Sequence, residues 1–219
     1  MNRESESFRR RLREWVGRKV SARLIRRLAG LKSNYRFEAI YGDFHLDADY
    51  RRHAIGGVQN ESGQIRGDLV KLLQDIREPV DSVLLPGENN AAKPIFAGLF
   101  GIQPTQVATA GLHPEMDWRW DFEQDPPAFG RFGCIVSQAM IEHLIDPYKH
   151  LRDCVQHLQP GGYLLVHTVL PGFVYHRHPV DCLRFYPDWF EEVGKRLGLA
   201  VVDKCISDGH IVYKYRKPA

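Results

Sequence analysis

No apolar run in this chain approaches the roughly 20 residues that a bilayer-spanning helix needs. The charged first residues also lack the apolar core of a secretory signal. Cysteine is scarce: Cys134, Cys154, Cys182 and Cys205 are scattered, with no Cys-x-x-Cys pair. That argues against a disulfide framework and against a cysteine zinc site. These absences point to a soluble protein in a reduced, cytoplasmic compartment. Acidic residues are few near the start, where Arg3 to Lys32 carries 11 Lys/Arg against three Glu. The remaining chain is slightly acidic, so whatever the basic segment does is local.

What is present is ordinary globular material. Hydrophobic residues are 43% and charged residues 26% of 219, enough for a normal core without staples. The length suits one α/β domain with an N-terminal appendage. Phe8, Leu12, Trp15, Val16, Val20, Leu24, Leu28 and Leu31 recur at helical spacing, which predicts a basic amphipathic helical extension over 1–33. Its stripe could pack on the domain or on a second copy, giving a homodimer. Its charged face could instead meet an anionic membrane or another acidic partner. Residues 34–79 read as a covering segment of irregular and helical structure, with a short helix from Asp68 to Ile76 ended by Pro79.

From residue 80 to 219, short apolar runs alternate with helical stretches, which predicts a mostly parallel sheet with helices on both faces. The expected strands are Val80–Leu85, Gln106–Ala110, Phe132–Ser137, Tyr163–Val169, Leu199–Ile206 and His210–Tyr215. The expected helices are 91–100, Asp146–Leu158 and Pro187–Leu197, and Pro160-Gly161-Gly162 is expected to be a sharp turn. Ser207-Asp208-Gly209 between two apolar runs marks a closing hairpin.

Two segments carry a family resemblance. Phe132 to Pro147 runs from an apolar strand through Ser137-Gln138 to Glu142-His143 and Asp146-Pro147, and Leu158-Gln159-Pro160-Gly161-Gly162 leads into a second apolar strand. In this order and spacing they resemble the fourth strand, its loop and the turn into the fifth strand of class I S-adenosylmethionine-dependent methyltransferases. The resemblance covers roughly 80–216. It implies a Rossmann-like methyltransferase sheet with an antiparallel C-terminal hairpin strand, S-adenosyl-L-methionine as cofactor, and a crevice beyond the strands' carboxyl ends.

The first half departs from the family pattern. Where that family has an acidic residue and three glycines, this chain reads Leu85-Pro86-Gly87-Glu88-Asn89-Asn90-Ala91, with Gly87 alone retained. The second expected strand ends Gly111-Leu112-His113, with no carboxylate for the ribose hydroxyls before Glu115. The resemblance nonetheless assigns Gly87, Glu88, Asn89, Leu112, Asp121, Phe122, Ser137 and Gln138 to the cofactor, Asp121 and Phe122 facing adenine. For Trp118, Trp120 and Phe122 core packing is the competing reading.

The segment after the fifth strand, Leu170 to Phe190, holds Tyr175, His176, His178, Asp181 and Arg184. It resembles the Tyr-His-x-x-Pro-x-Asp-x-x-Arg segments of methyltransferases acting on sugars and natural products. A histidine there could remove a hydroxyl proton during methyl transfer. His143, His176 and His178 are therefore candidate catalytic residues, and Tyr175, Asp181 and Arg184 candidates for substrate contact. Asp181 could equally pair with Arg184 as a structural tie. His143 could instead shape the cofactor pocket or cap a helix with Glu142. His-x-His with Asp181 and His143 offers metal-ligand types, but the spacing matches no strong metal motif, so no metal is expected.

The expected activity is O-methylation of a small molecule or sugar. The alternative is a catalytically degenerate relative acting as a binding or scaffold subunit, favoured by the eroded glycine loop. Nucleic acid is not expected as a partner, because the acidic bias outside the first helix gives the domain no basic groove.

Overall fold

The computed structural model describes residues 58–60, 63–65, 67–171, 173, 176, 180–207 and 209–219. The basic N-terminal helix expected from the sequence lies outside them, as do Tyr175 and His178. Among the described residues, no helix is long and apolar enough to cross a membrane.

The elements in chain order are β1 (Val58–Asn60), β2 (Gly63–Ile65), α1 (Gly67–Gln74), β3 (Val83–Pro86), α2 (Lys93–Phe100), β4 (Val107–Gly111), β5 (Trp118–Arg119), β6 (Phe132–Gln138), α3 (Pro147–Gln156), β7 (Leu158–Val169), α4 (Pro187–Arg196), β8 (Ala200–Ser207) and β9 (His210–Arg216). β1 and β2 form a separate antiparallel pair. The other strands form one sheet in the order β5-β4-β3-β6-β7-β9-β8. Pairing is parallel from β5 through β7 and antiparallel where β9 meets β7 and β8. This is the mostly parallel Rossmann-like sheet with a closing antiparallel hairpin that the sequence predicts.

Central strands of such a sheet are covered on both faces and so read as unbroken apolar runs. Val83, Leu84 and Leu85 of β3 and Cys134, Ile135 and Val136 of β6 are all fully buried. Side chains alternate between the two faces along a strand. Val136 and Val212 join Leu69 and Leu72 of α1 and Phe96 of α2 in one apolar layer. Their neighbours face the opposite way. Ser137 meets His150 of α3, and Tyr213 stacks on Phe190 of α4 with ring centroids 4.7 Å apart. Helices therefore cover both faces.

Local signals set the helix ends. Asp146 caps α3 by accepting the Lys149 N–H at 2.9 Å, with Pro147 in the first turn. Pro94 and Pro187 open α2 and α4 in the same way. One turn is placed differently from expectation. Pro160-Gly161-Gly162 does not separate two elements but lies inside β7. Gly161 takes φ +74 there, and the β6–β7 register shifts between Phe132 and Cys134. A side chain on Gly162 would meet the Gly133 carbonyl oxygen at 2.9 Å. The glycines thus let the backbone kink and pass close without breaking the strand.

β3 has β4 on one side and β6 on the other, both parallel to it. The direction of winding reverses between β3 and β6. In open α/β sheets the ligand crevice forms at that reversal, beyond the strands' carboxyl ends.

Candidate functional site

Two turns meet at the reversal point. Gly87 follows β3 in the left-handed region at φ +84. A Cβ there would lie 2.6 Å from Met140 Sδ, so glycine is required for both conformation and space. Across the crevice, Gln138 ends β6 and its amide Nε2 donates to Glu88 Oε1 at 3.2 Å. Burial raises the Glu88 pKa from 4.5 to about 7. Gln138 Oε1 is buried and has no hydrogen-bond partner. When Glu88 is ionised, its carboxylate and the unsatisfied Gln138 Oε1 together present acceptors suited to a cationic or N–H-bearing group. Asn89 turns inward on its own loop, its Oδ1 accepting the Ala91 N–H at 2.9 Å.

The remaining residues assigned to the cofactor are placed as follows. Leu112 stands 61% exposed just after β4. Asp121 is exposed and accepts the Glu123 N–H. Phe122 is buried, 4.7 Å from the Trp120 ring and 4.9 Å from the His150 ring. Ser137 is fully buried, with Oγ 3.0 Å from His150 Nε2. His150 itself sits among apolar rings, and burial lowers its pKa to about 3. Phe122 and Ser137 thus belong to a packed aromatic layer beneath the crevice floor. Beyond the end of β4, the Asp117 carboxylate accepts from the Thr109 N–H at 2.8 Å and pairs with Lys93 at 2.6 Å.

The loop after β6 carries a second cluster. Ala139 takes φ +47, an uncommon and strained state for alanine, and the chain then makes one short turn through Ile141, Glu142 and His143. Glu142 is fully buried. Its Oε2 accepts the Thr168 hydroxyl at 2.6 Å, and its backbone carbonyl accepts the N–H groups of Cys182 and Leu183 at 2.9 and 3.1 Å. The segment from 180 onward is thereby tied to this loop. His143 Nδ1 contacts the Val180 carbonyl. His143 and His176 meet edge to face, ring centroids 5.0 Å apart.

Asp181 lies at the base of the cluster. The Arg184 guanidinium donates to both its oxygens, and Asp181 Oδ2 accepts the His176 N–H at 2.7 Å. The hydrogen bonds from Arg184 hold the Asp181 carboxyl well below the usual carboxylate range. The tie between Asp181 and Arg184, one of the three sequence readings, is therefore present in the structure. His143, His176, Asp181 and Arg184 come together although 41 positions of sequence separate the first from the last. Sequence reasoning gave Glu142 a part in the family resemblance and in an alternative helix cap but no place in the site, and passed over Thr168. Its one available signal was the Glu-His pair itself, since an apolar stretch gives no reason for two adjacent polar residues.

Comparison with known proteins gives a consistent picture. A family model described as a methyltransferase domain matches residues 58–202. The ubiquinone biosynthesis O-methyltransferase of Cereibacter sphaeroides is 32% identical over 72 residues, 30% of this chain and 29% of that protein. The corresponding enzyme of Marinobacter nauticus is 33% identical over 49 residues, 22% of this chain and 21% of its own length. The matched stretches thus span under a third of those relatives. Among solved structures, an S-adenosylmethionine-dependent methyltransferase of Mesorhizobium loti superposes with TM-score 0.54 at 13% identity, covering 68% of this chain and 95% of the other. The CcbJ methyltransferase of Streptomyces caelestis gives 0.51 at 12% identity, covering 68% and 88%. At these identities the superpositions establish the fold alone.

Proposed function

Because the chain belongs to the methyltransferase domain family, S-adenosylmethionine-dependent enzymes of Rossmann-like fold, we propose that it methylates a hydroxyl oxygen of a small molecule. The observation that carries this reading is the juxtaposition made by one loop. Gln138 and Met140 line the turn at Gly87 and Glu88, while Glu142 and His143 a few residues on face His176.

The first cluster fits the amino-acid end of the cofactor. Gly87 allows close backbone approach, and Glu88 with Gln138 Oε1 offers acceptors to a positively charged group. The ribose end departs from the family pattern, because Asp117 is committed to Thr109 and Lys93. When bound, the cofactor supplies a methyl group already activated by its sulfonium. The protein must then align the acceptor oxygen and take its proton. His143 and His176 are the candidates for that task. Asp181, fixed by Arg184, orients His176 through its backbone N–H. The activity named for the two curated relatives, O-methylation, supports oxygen as the acceptor.

The chain should transfer label from methyl-labelled S-adenosylmethionine to hydroxylated aromatic or sugar acceptors. The product should be an alkali-stable ether one methylene heavier by mass spectrometry. Label on nitrogen would overturn the choice of acceptor atom. Cofactor binding without transfer to any hydroxylated acceptor would favour the scaffold reading, whose support is the eroded loop at Leu85–Ala91.

A further inference from the structure

We propose that Glu142, His143 and His176 form a binding site for a divalent first-row transition-metal ion. The three ligand atoms lie within 4.8 Å of one another. Glu142 Oε1 is 4.0 Å from His143 Nε2 and 3.7 Å from His176 Nε2. Both distances are too long for hydrogen bonds, and Oε1 has no hydrogen-bond partner although Glu142 is fully buried. A buried carboxylate oxygen left in that state is costly unless something positive reaches it.

The surroundings of the two rings make the same point. His143 turns Nδ1 toward the Val180 carbonyl, and His176 has Nδ1 3.6 Å from Asp181 Oδ2. An imidazole that directs one N–H at a carbonyl or carboxylate presents the lone pair of its other nitrogen, the arrangement seen around metal-bound histidines. On His143 that other nitrogen is Nε2, and on both rings Nε2 is the atom that approaches Glu142 Oε1. Two imidazoles and one carboxylate oxygen therefore converge, their ligand atoms within 4.8 Å of one another. Thr168 plays the matching part for Glu142 by occupying Oε2 and leaving Oε1 directed inward.

Two imidazoles and one carboxylate suit zinc and its neighbours rather than magnesium or calcium, and such sets leave positions open for a substrate oxygen. Metal–ligand distances of roughly 2.0–2.2 Å imply donor atoms about 3.4 Å apart in a tetrahedral site. The two separations from Glu142 Oε1, 4.0 and 3.7 Å, reach that with shifts of about half an ångström, and His176, with a third of its side chain exposed, has room to adjust. The sequence spacing matched no metal motif because the ligands are a Glu-His pair and a single histidine from a loop beyond the next strand. An ion here would polarise the acceptor hydroxyl and lower its pKa, so that its proton passes to solvent water. The oxygen then attacks the methyl group as a metal-held alkoxide, with no ring nitrogen needed as base. Only that catalytic use rests on the proposed methyl transfer; the binding does not.

The test uses full-length, tag-free protein dialysed against chelator and titrated with Co2+, then competed with Zn2+. One ion per chain should bind with visible d–d absorption, and Zn2+ should displace it. The His143→Ala/His176→Ala double variant should bind about 100-fold more weakly or worse, since altering even outer-shell partners costs 10–100-fold. Circular dichroism checks that this variant is folded, and His176→Ala alone, at the more exposed ring, serves if it is not. Equal Co2+ affinity in wild type and variants would overturn the site, as would wild-type protein that binds none because a shared proton holds the rings against Glu142 and Asp181. Ion binding without methyl transfer under any condition would leave the site standing and remove the methyltransferase reading.

Discussion

Replacing His143 by alanine is expected to lower methyl-transfer turnover by about 10²–10⁴-fold, the usual contribution of a group that handles the proton in the rate-determining step. The affinity for S-adenosylmethionine should not change. His143 lies five residues beyond Gln138, and its ring meets Val180 and Glu142, whereas Gln138 meets Glu88. The loss should therefore appear in kcat at saturating cofactor, with the cofactor Kd intact by calorimetry. A variant that keeps wild-type turnover would remove His143 from the chemistry. The same loss is expected whether His143 acts as base or as metal ligand, and chelation distinguishes the two, because only the metal-bound form loses activity with added chelator.

The second large effect concerns Glu88. Its pKa in the fold is raised from 4.5 to about 7 by burial, so the folded state holds the proton more tightly than the unfolded chain does. The favourable contribution is fully present below about pH 4.5 and is lost as pH rises through about 7. Above that, the ionised carboxylate destabilises the cofactor-free fold by about 3 kcal/mol, the cost of a carboxyl held near 7 rather than 4.5. Glu88→Gln should therefore be more stable than wild type at pH 8 by up to that amount, and no different at pH 4, in urea denaturation. Cofactor binding should respond in the opposite sense. Wild-type affinity should rise between pH 6 and pH 8 as the carboxylate ionises to meet a cation, while the Gln variant should bind weakly at both. A Gln variant with wild-type stability and wild-type affinity at pH 8 would show that Glu88 is neither desolvated nor in contact with the cofactor. An instability kept in place by ligand binding is the form of stability–function trade-off expected at a site.

The sheet was legible because β3, β6 and β7 are covered on both faces, and the resulting apolar runs stand out in any sequence. Asp146-Pro147 and Gly198 announced the ends of α3 and α4 through capping chemistry, and Ser207-Asp208-Gly209 announced the hairpin. The turn at Pro160-Gly161-Gly162 was misread because the same residues that make a turn also make a kink within a strand, and only the pairing of both neighbours decides between them. The candidate site was legible residue by residue but not as an arrangement. Asp181 and Arg184 could be read as substrate contacts or as each other's partners, and the sequence contains nothing that chooses. Phe122 and Ser137 occupy positions where the family faces its cofactor, yet here they pack around His150, whose burial no local pattern reveals. Glu142 is the clearest case. It becomes noticeable only when Thr168 on one side and two imidazoles on the other are seen around a carboxylate without solvent.

The central claim is that the altered turn at Leu85–Ala91 still holds S-adenosylmethionine at the reversal between β3 and β6. Titration of the cofactor into the full-length wild-type chain by isothermal calorimetry, at pH 6 and at pH 8, tests it most directly. One saturable site per chain, tighter at pH 8, is the predicted result. No heat and no thermal shift at either pH would contradict the account.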